Sequence, residues 1–455
     1  MITIKPTFEK NAFYKKQTET TLLIEIEAPA KVDKQTKTNK LNLSIAIDIS
    51  GSMSSPVKSR GIGHFNSGIV NHPTLGGIAH AGLGFPHNQP VHELSISKLD
   101  QAKRAAKKAI DSMRNGDFIS IVAFDDVVDV LVSATELTQS NRDSIKSKID
   151  SLRVRGMTNI HGGWHRAATE VAKNIGAKSI NRVILLTDGQ TNAGITNPDE
   201  ICTNVLTMKN SAISTSTFGI GEQFNEDLLQ GMANAGDGNA YYINDDEKLE
   251  KMFKDEFQGL SNIYATDIKA HFAFNEGYSV KEQLNNLIVD NDKYSVSNLI
   301  SEGKNSLLFK LNLDFGKNTT VGNVGTFTLS YKDSEGSPVS ISVEISNEVV
   351  SKKKWDSLEE NKEVKVQETL MTIANNKLAV TKAIDNNDMV YAKELLGRSM
   401  VMAASASMSF ADDRLSSETN SLQNSILNAD KMNAQAFRKD MAYESYATRT
   451  GKKDS

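Results

Sequence analysis

The stretch Leu41-Asn42-Leu43-Ser44-Ile45-Ala46-Ile47-Asp48-Ile49-Ser50-Gly51-Ser52 decides the fold of this chain. Its first seven residues are mostly apolar, as in a buried strand of a parallel sheet. Its last five residues form a D-x-S-x-S sequence, whose carboxylate and two hydroxyls alternate along a loop and can point toward one centre. Hard divalent cations such as Mg²⁺ prefer oxygen ligands and keep some positions for water or outside ligands. The stretch therefore predicts a metal site with an open position.

Beyond this stretch, short apolar strands alternate with amphipathic helices as far as about residue 260. The predicted strands are 41–48, 118–124, 128–132, 182–186, 212–218 and 240–243, and the predicted helices are 97–113, 141–152, 161–173, 198–209, 226–235 and 245–257. This alternation predicts an α/β fold with a doubly wound, mostly parallel sheet covered by helices on both faces. Such sheets bind ligands beyond the carboxyl ends of their strands, and Asp48 lies at such an end.

The segments on either side of the α/β region have a different pattern. Strand-like runs at 21–27, 266–274, 294–299, 306–313, 326–331 and 339–345 predict a β-sandwich, while 364–384, 389–403 and 417–446 are helical in pattern. One or two strands are not stable alone, so we expect the N-terminal strands to join the later ones. The predicted parts are N-terminal sandwich strands (1–40), an inserted α/β domain (41–260), a β-sandwich (261–350) and a helical hairpin with a tail (351–455).

Composition restricts the class of protein. The 455 residues carry a net charge of −4 and are 39% hydrophobic, which gives no sign of a nucleic-acid partner. The single cysteine, Cys202, excludes an intrachain disulfide and a cysteine-based zinc site. The first residues lack the apolar core of a signal peptide, and no apolar run reaches the ~20 residues of a membrane span. We therefore expect a cytoplasmic protein without a membrane span.

Two further oxygen donors occur where an α/β sheet would bring them near Asp48. Thr158 lies in the loop Arg155-Gly156-Met157-Thr158-Asn159 before a predicted helix, and Asp188 follows the fourth predicted strand in Leu186-Thr187-Asp188-Gly189. Asp-Gly alone is common turn chemistry. Together with D-x-S-x-S and the order of the elements, however, these residues predict one constellation of five donors.

These motifs resemble the metal-ion-dependent adhesion site of von Willebrand factor type A domains. The resemblance covers roughly residues 41–260 and includes the supporting landmarks Ile121-Val122-Ala123-Phe124, Phe218-Gly219-Ile220-Gly221, Asn225, Leu228-Leu229 and Gly238-Asn239-Ala240-Tyr241-Tyr242. It implies that five residues hold the metal: Asp48, Ser50, Ser52, Thr158 and Asp188.

The resemblance also implies a cation and a partner. The ion would be Mg²⁺, with Mn²⁺ or Ca²⁺ as alternatives, and an acidic side chain of a protein partner would complete its shell. The β-module and trailing helices look like bacterial intracellular members of the family. Some of these are loosely called channel-like, but that label is not transferable here because no membrane span supports it.

One segment departs from the family pattern. Residues 54–95 form a glycine-rich insert between the D-x-S-x-S loop and the first long helix, with five histidines: His64, His72, His80, His87 and His92. A long loop of this kind is usually functional or disordered. The alternatives are a flexible or partner-ordered lid and a transition-metal site, although the spacing of the histidines matches no compact ligand motif. His161 and His165 lie one helical turn apart near Thr158, so both could face the site, but we expect them to be residues on a helix face or behind the ligands.

Three functions remain open from sequence. The first is a non-enzymatic binding or scaffold protein that uses the cation to engage an acidic residue of its partner. The second is an accessory subunit of an AAA+ ATPase or of a kinase/phosphatase system. The third is a metal-dependent hydrolase, against which we find no convincing general base and no phosphate-binding loop of the G-x-x-x-x-G-K-[ST] form.

Overall fold

The computed structural model describes residues 1–30, 40–56, 96–176, 179–221, 224–243, 252–253, 256–257, 262–315, 322–333 and 336–450. Its strands are β1 (Thr3–Phe8), β2 (Ala12–Tyr14), β3 (Glu19–Glu27), β4 (Lys40–Asp48), β5 (Phe118–Phe124), β6 (Val128–Glu136), β7 (Ser179–Thr187), β8 (Ser214–Ile220), β9 (Ala240–Ile243), β10 (Ile263–Phe274), β11 (Tyr278–Gln283), β12 (Val289–Asp290), β13 (Lys293–Val296), β14 (Leu299–Ile300), β15 (Lys304–Leu313), β16 (Asn323–Asp333), β17 (Pro338–Ser346) and β18 (Glu348–Val350).

The α-helices are α1 (Lys98–Ser112), α2 (Arg142–Asp150), α3 (Ile160–Ala172), α4 (Pro198–Asn210), α5 (Glu226–Ala235), α6 (Lys352–Asp356), α7 (Lys362–Asp385), α8 (Met389–Phe410), α9 (Asp413–Asn428) and α10 (Ala434–Arg449). Most of the predicted helix 245–257 lies outside the described residues. Among the helices of the described ranges, none combines the length and the hydropathy that crossing a membrane requires.

A six-stranded sheet forms the centre of the α/β domain, in the order β6-β5-β4-β7-β8-β9. All its pairings are parallel except β5 with β6. One face packs against α1 and α2 and the other against α3, α4 and α5, each across a buried apolar core. The predicted doubly wound, mostly parallel sheet is confirmed. Because β4 lies between β5 and β7, its carboxyl end is at the switch point of the sheet.

The β-sandwich is built from both sides of the α/β domain. One sheet has the order β1-β3-β15-β11 and the other β12-β13-β10-β16-β17, with β14 beside β10. β3 pairs with β1 and with β15, so the N-terminal strands do join the strands that follow the α/β domain. The two sheets share one apolar core, in which the Phe272 and Phe309 rings meet edge to face at 4.9 Å. The prediction of an α/β domain inserted in a sandwich is confirmed.

The C-terminal helices differ from the prediction in one respect. The pattern 417–446 is not one helical stretch, because α9 ends at Asn428 and α10 begins at Ala434. The break has a local cause: Asn433 caps α10 by accepting a hydrogen bond from the Gln435 amide, and the preceding residues form a turn. This break lets α10 turn back and pack along α7.

Helix α10 joins the helical region to the α/β domain. Arg438 and Lys439 both form ion pairs with Glu226 at the start of α5, and all three side chains are largely buried. Near the other end of α10, the Tyr446 hydroxyl accepts a hydrogen bond of 3.2 Å from the Ala240 amide of β9. Helix α10 therefore contacts the α/β domain at two points, the start of α5 and β9 at the edge of the sheet.

The residues on either side of the predicted insert lie next to each other in the α/β domain. Pro56 and Ser97 form an isolated antiparallel bridge, and the Lys98 amide donates a 3.0 Å hydrogen bond to the Ser55 carbonyl. Most of the insert 54–95, including its five histidines, lies outside the described residues, so its two alternative roles stay predictions.

We expect that residues 57–95 can be replaced by a linker of about four glycine and serine residues without loss of the fold, because the flanking residues already meet. The melting temperature should change by only a few degrees. Thermal unfolding followed by circular dichroism at 222 nm provides the measurement. A drop of about 10 °C or more would show instead that the segment contributes packing that the domain needs.

Candidate metal centre

The five predicted metal-site residues come together at the carboxyl edge of the sheet. Asp48 is the last residue of β4, Asp188 directly follows β7, and Thr158 lies in the loop before α3. Ser50 and Ser52 lie at the start of a 3-10 turn, Gly51–Ser54, that follows β4. Asp48, Ser50, Thr158 and Asp188 are buried, whereas Ser52 is partly exposed. The centre therefore opens to solvent on the side of Ser52.

Hydrogen bonds link four of these residues in a chain. Oδ1 of Asp48 accepts from the Ser50 amide at 2.8 Å, and the Ser50 and Ser52 hydroxyls are 3.1 Å apart. The Ser52 hydroxyl donates to Oδ1 of Asp188 at 2.7 Å. Ser52 thus contacts the carboxylate that follows β7 directly, and Ser50 and Asp48 are linked to it through Ser52.

Thr158 completes the cluster from the other side of Gly189. A Cβ at Gly189 would lie 3.3 Å from Oγ1 of Thr158 and 3.7 Å from Oδ2 of Asp48, so both oxygens flank this glycine. The Thr158 amide donates to Oδ1 of Asn192 at 2.8 Å, which fixes the loop. A glycine here therefore keeps the space between the two donors open.

Gly156 ties the Thr158 loop to the D-x-S-x-S loop. Its carbonyl accepts a 3.2 Å hydrogen bond from the Gly51 amide, between the two serines. It has a φ of +60°, and a Cβ there would lie 2.0 Å from Oδ1 of Asp126, so the position requires glycine. This link sets the distance between Thr158 and the serines.

Burial dominates the electrostatics of Asp48. Removal from water, with a smaller contribution from the charge of Asp188, raises the pKa of this carboxyl to about 6, against the hydrogen bonds from Thr187 and Ser50. The Thr187 hydroxyl donates to Oδ2 at 2.5 Å. The ionised form of Asp48 is therefore destabilised in the ion-free protein, and a nearby cation would reverse this effect.

Two functional contacts are missing from the sequence prediction. Lys98, the first residue of α1, places Nζ 2.5 Å from Oδ2 of Asp188, and both side chains are almost fully buried. Thr187 contacts Asp48, as described above. A signal for Lys98 was present, because a lysine is unfavourable at the positive N-terminal end of a helix.

His161 faces α4, and His165 lies beside it on the exposed surface of α3. Nε2 of His161 is 3.1 Å from Nδ2 of Asn204 on α4, and the two imidazole rings stack with centroids 5.7 Å apart. Burial, together with the charge of His165, lowers the pKa of His161. These contacts favour the interpretation of both histidines as helix-face residues.

The donor set fits a hard divalent cation. The described ranges contain no cluster of three or more His, Cys, Asp or Glu placed to hold a metal. The two carboxylates and three hydroxyls at the edge of the sheet supply oxygen ligands, and Mg²⁺ prefers all-oxygen sites in which it keeps several waters.

Comparison with known sequences identifies relatives of part of this chain. A family model described as von Willebrand factor type A domain matches residues 93–255. The protein YfbK of Escherichia coli (strain K12) is 31% identical over 232 residues, which cover 49% of this chain and 40% of YfbK. The chain thus spans less than half of this relative. The matched residues begin after β4, so Asp48, Ser50 and Ser52 lie outside them, although β4 pairs with the matched strands β5 and β7.

Two solved structures share the fold over nearly the whole chain. The von Willebrand factor type A protein from Catenulispora acidiphila has a TM-score of 0.69 at 15% identity and covers 98% of this chain and 96% of its own. The ArnB paralog VWA2 from Sulfolobus acidocaldarius has a TM-score of 0.56 at 16% identity, with 99% of both chains covered. At these identities the two likenesses show the fold, and residues 93–255 match the family model of the von Willebrand factor type A domain.

Proposed function

We propose that this chain binds a protein partner through a divalent cation, with Mg²⁺ as the natural ion. Asp48, Ser50, Ser52, Thr158 and Asp188 would hold the ion, and an acidic side chain of the partner would occupy its open position. The observation that carries the proposal is the convergence of these five side chains from three loops, in a cluster that opens at Ser52. The bound cation would supply positive charge for an incoming carboxylate.

The composition of the cluster supports binding rather than catalysis. Only two of the five donors are charged, so the residues leave a divalent ion electrophilic toward a carboxylate from outside. Among the described residues, the side chains outside the cluster that contact its two carboxylates are Lys98 on Asp188 and Thr187 on Asp48, and neither is placed as a general base. We therefore propose that the protein is not an enzyme.

Metal binding tests the first half of the proposal with a matched pair of serines in one turn. We expect Ser52→Ala to weaken Mn²⁺ or Mg²⁺ binding about tenfold or more, because it removes one donor. Ser54 donates to the Gly51 carbonyl and is exposed, so Ser54→Ala should leave the affinity unchanged. Isothermal titration calorimetry measures both. Equal affinities of the two variants would contradict the assignment of Ser52.

Partner capture tests the second half of the proposal. The immobilised protein is incubated with cytosolic extract of the source organism, since the sequence predicts a cytoplasmic location. Proteins bound in Mg²⁺ should be released by EDTA, absent with Ser52→Ala and retained with Ser54→Ala. A captured ATPase, kinase or phosphatase would identify the accessory-subunit role. Partners retained equally in all these conditions would rule out binding through the cation.

A further inference from the structure

A buried lysine reaches the metal centre from α1. The Lys98 side chain is 6% exposed, and its Nζ lies 2.5 Å from Oδ2 of Asp188. The other oxygen of the same carboxylate accepts from the Ser52 hydroxyl at 2.7 Å. Asp188 therefore contacts an internal cation through one oxygen and a proposed metal ligand through the other.

Gly221, directly after β8, leaves the room that this lysine requires. A Cβ at Gly221 would lie 2.7 Å from Cε of Lys98 and 3.5 Å from its Nζ. Gly221 also has a φ of +76°, which L side chains rarely adopt. The aliphatic part of Lys98 thus passes beside a position without a side chain on its way to Asp188.

Helix formation gives no reason for a lysine at this position. The N-terminal end of a helix carries partial positive charge, so a cation there is unfavourable. A buried ammonium also needs a charged partner to offset its loss of hydration. Asp188 is that partner, which makes the contact with the metal centre the physical reason for the lysine.

We propose that Lys98 is an internal positive charge of the metal centre with two effects. It weakens the binding of a divalent cation, and it strengthens the binding of an outside carboxylate to the cation once that cation is bound. This inference rests on the proposed function. Asp48, Asp188 and Lys98 together carry one net negative charge. A divalent cation would bring the centre to one net positive charge, and a partner's carboxylate would neutralise it. Without Lys98, the loaded centre would already be neutral.

The proposal predicts opposite changes in two affinities of one variant. Lys98→Met should bind Mn²⁺ about tenfold or more tightly than the wild type, because a like charge near the ion is removed. The Mn²⁺-loaded variant should bind acetate about tenfold more weakly. Calorimetry at pH 8 measures Mn²⁺ binding. Water-proton relaxation by bound Mn²⁺, titrated with sodium acetate against sodium chloride, measures the carboxylate.

Three further variants separate charge from folding. Lys103→Met removes a lysine of the same helix that contacts the Asp150 carbonyl, and it should change neither affinity. Lys98→Arg keeps the charge and should stay near the wild type in both. If Lys98→Met does not fold without metal, Lys98→Gln removes the charge while keeping a donor for Asp188, and it should show the same two opposite changes.

The outcomes distinguish this inference from the proposed function. If the wild type binds no Mn²⁺, both the proposed function and this inference are wrong. If the wild type binds Mn²⁺ but both neutral variants bind it equally or more weakly, the inference is wrong while the proposed function stands. Tighter Mn²⁺ binding with unchanged acetate affinity would also overturn it, because the role in carboxylate capture would be absent.

Discussion

Asp48→Asn is expected to abolish metal binding and at the same time to stabilise the ion-free protein at pH 7. The carboxylate of Asp48 is fully buried, and its burial is unfavourable in the absence of a cation. An asparagine can keep both hydrogen bonds, since its oxygen accepts from the Ser50 amide and its amino group donates to Thr187. Only the charge is removed, and with it the main attraction for the ion.

The pH dependence gives the sign and size of this effect. The folded protein holds the Asp48 proton up to about pH 6, whereas the unfolded chain releases it near the ordinary value of 3.8. Folding stability of the wild type therefore falls as pH rises through this window, by up to about 3 kcal/mol. Asp48→Asn has no carboxyl group to ionise at this position, so its folding stability does not fall in this window. In EDTA at pH 7 its melting temperature should exceed that of the wild type by about 5 °C, and the gain should vanish at pH 4.

Asp117→Asn is the matched control for this prediction. Asp117 is equally buried but lies at the opposite end of the sheet, where its two carboxylate oxygens accept from the Leu41 and Arg114 amides. An asparagine must turn its amino group toward one of these N–H groups, so stability should fall by about 1–3 kcal/mol while metal binding is retained. A loss of stability in Asp48→Asn at pH 7 would contradict the account of Asp48.

Lys377→Met is expected to destabilise the C-terminal helices by about 3–5 kcal/mol. The Lys377 side chain is 1% exposed and forms ion pairs with Glu418 at 2.6 Å and with Glu444 at 2.5 Å. Burial lowers the pKa of this ammonium, but the two carboxylates outweigh burial and raise it overall. The substitution would remove the buried cation that Glu418 and Glu444 share. Urea unfolding followed by circular dichroism at 222 nm provides the measurement.

A second variant separates the loss of the ion pair from the loss of packing. In Lys377→Met/Glu418→Leu the buried charge is gone from both α7 and α9, and apolar replacements of buried ion pairs are often neutral or stabilising. The double variant should therefore recover most of the lost stability. If Lys377→Met alone is as stable as the wild type, or if the double variant is the less stable of the two, the buried pair does not act as described.

The strands of the α/β domain follow from local sequence. β5 and β9 have the bounds that their apolar runs predict, because polar or turn residues stop each run. The predicted donors follow from the same logic: each lies at a strand end or before a helix, and parallel strands bring their carboxyl ends to one edge. The five-residue cluster could therefore be assembled before any coordinates, although its role as a metal site stays a prediction.

Other features depend on distant partners. β1 contains Pro6 and lacks a clear alternation, and it is a strand only because β3 pairs with it at the edge of the sheet. Lys98 meets Asp188 across a separation of 90 residues, so the sequence marks this lysine as unusual for the start of a helix but does not indicate its partner. The helical pattern 417–446 failed for the opposite reason, since a local cap at Asn433 interrupts a continuous periodicity.

The pairing of β3 with β15 also sets an order for synthesis on the ribosome. Residues 19–27 emerge early, but their partner strand 304–313 is made only after the whole α/β domain. At about 5–20 residues per second, this interval lasts roughly 15 to 55 seconds. The α/β domain has all its own strands by residue 243 and can close first. During this interval one edge of β3 has no partner strand, although seven of its nine residues are buried in the folded protein. Until β15 is made, β3 therefore presents an unpaired strand edge that can pair with other chains.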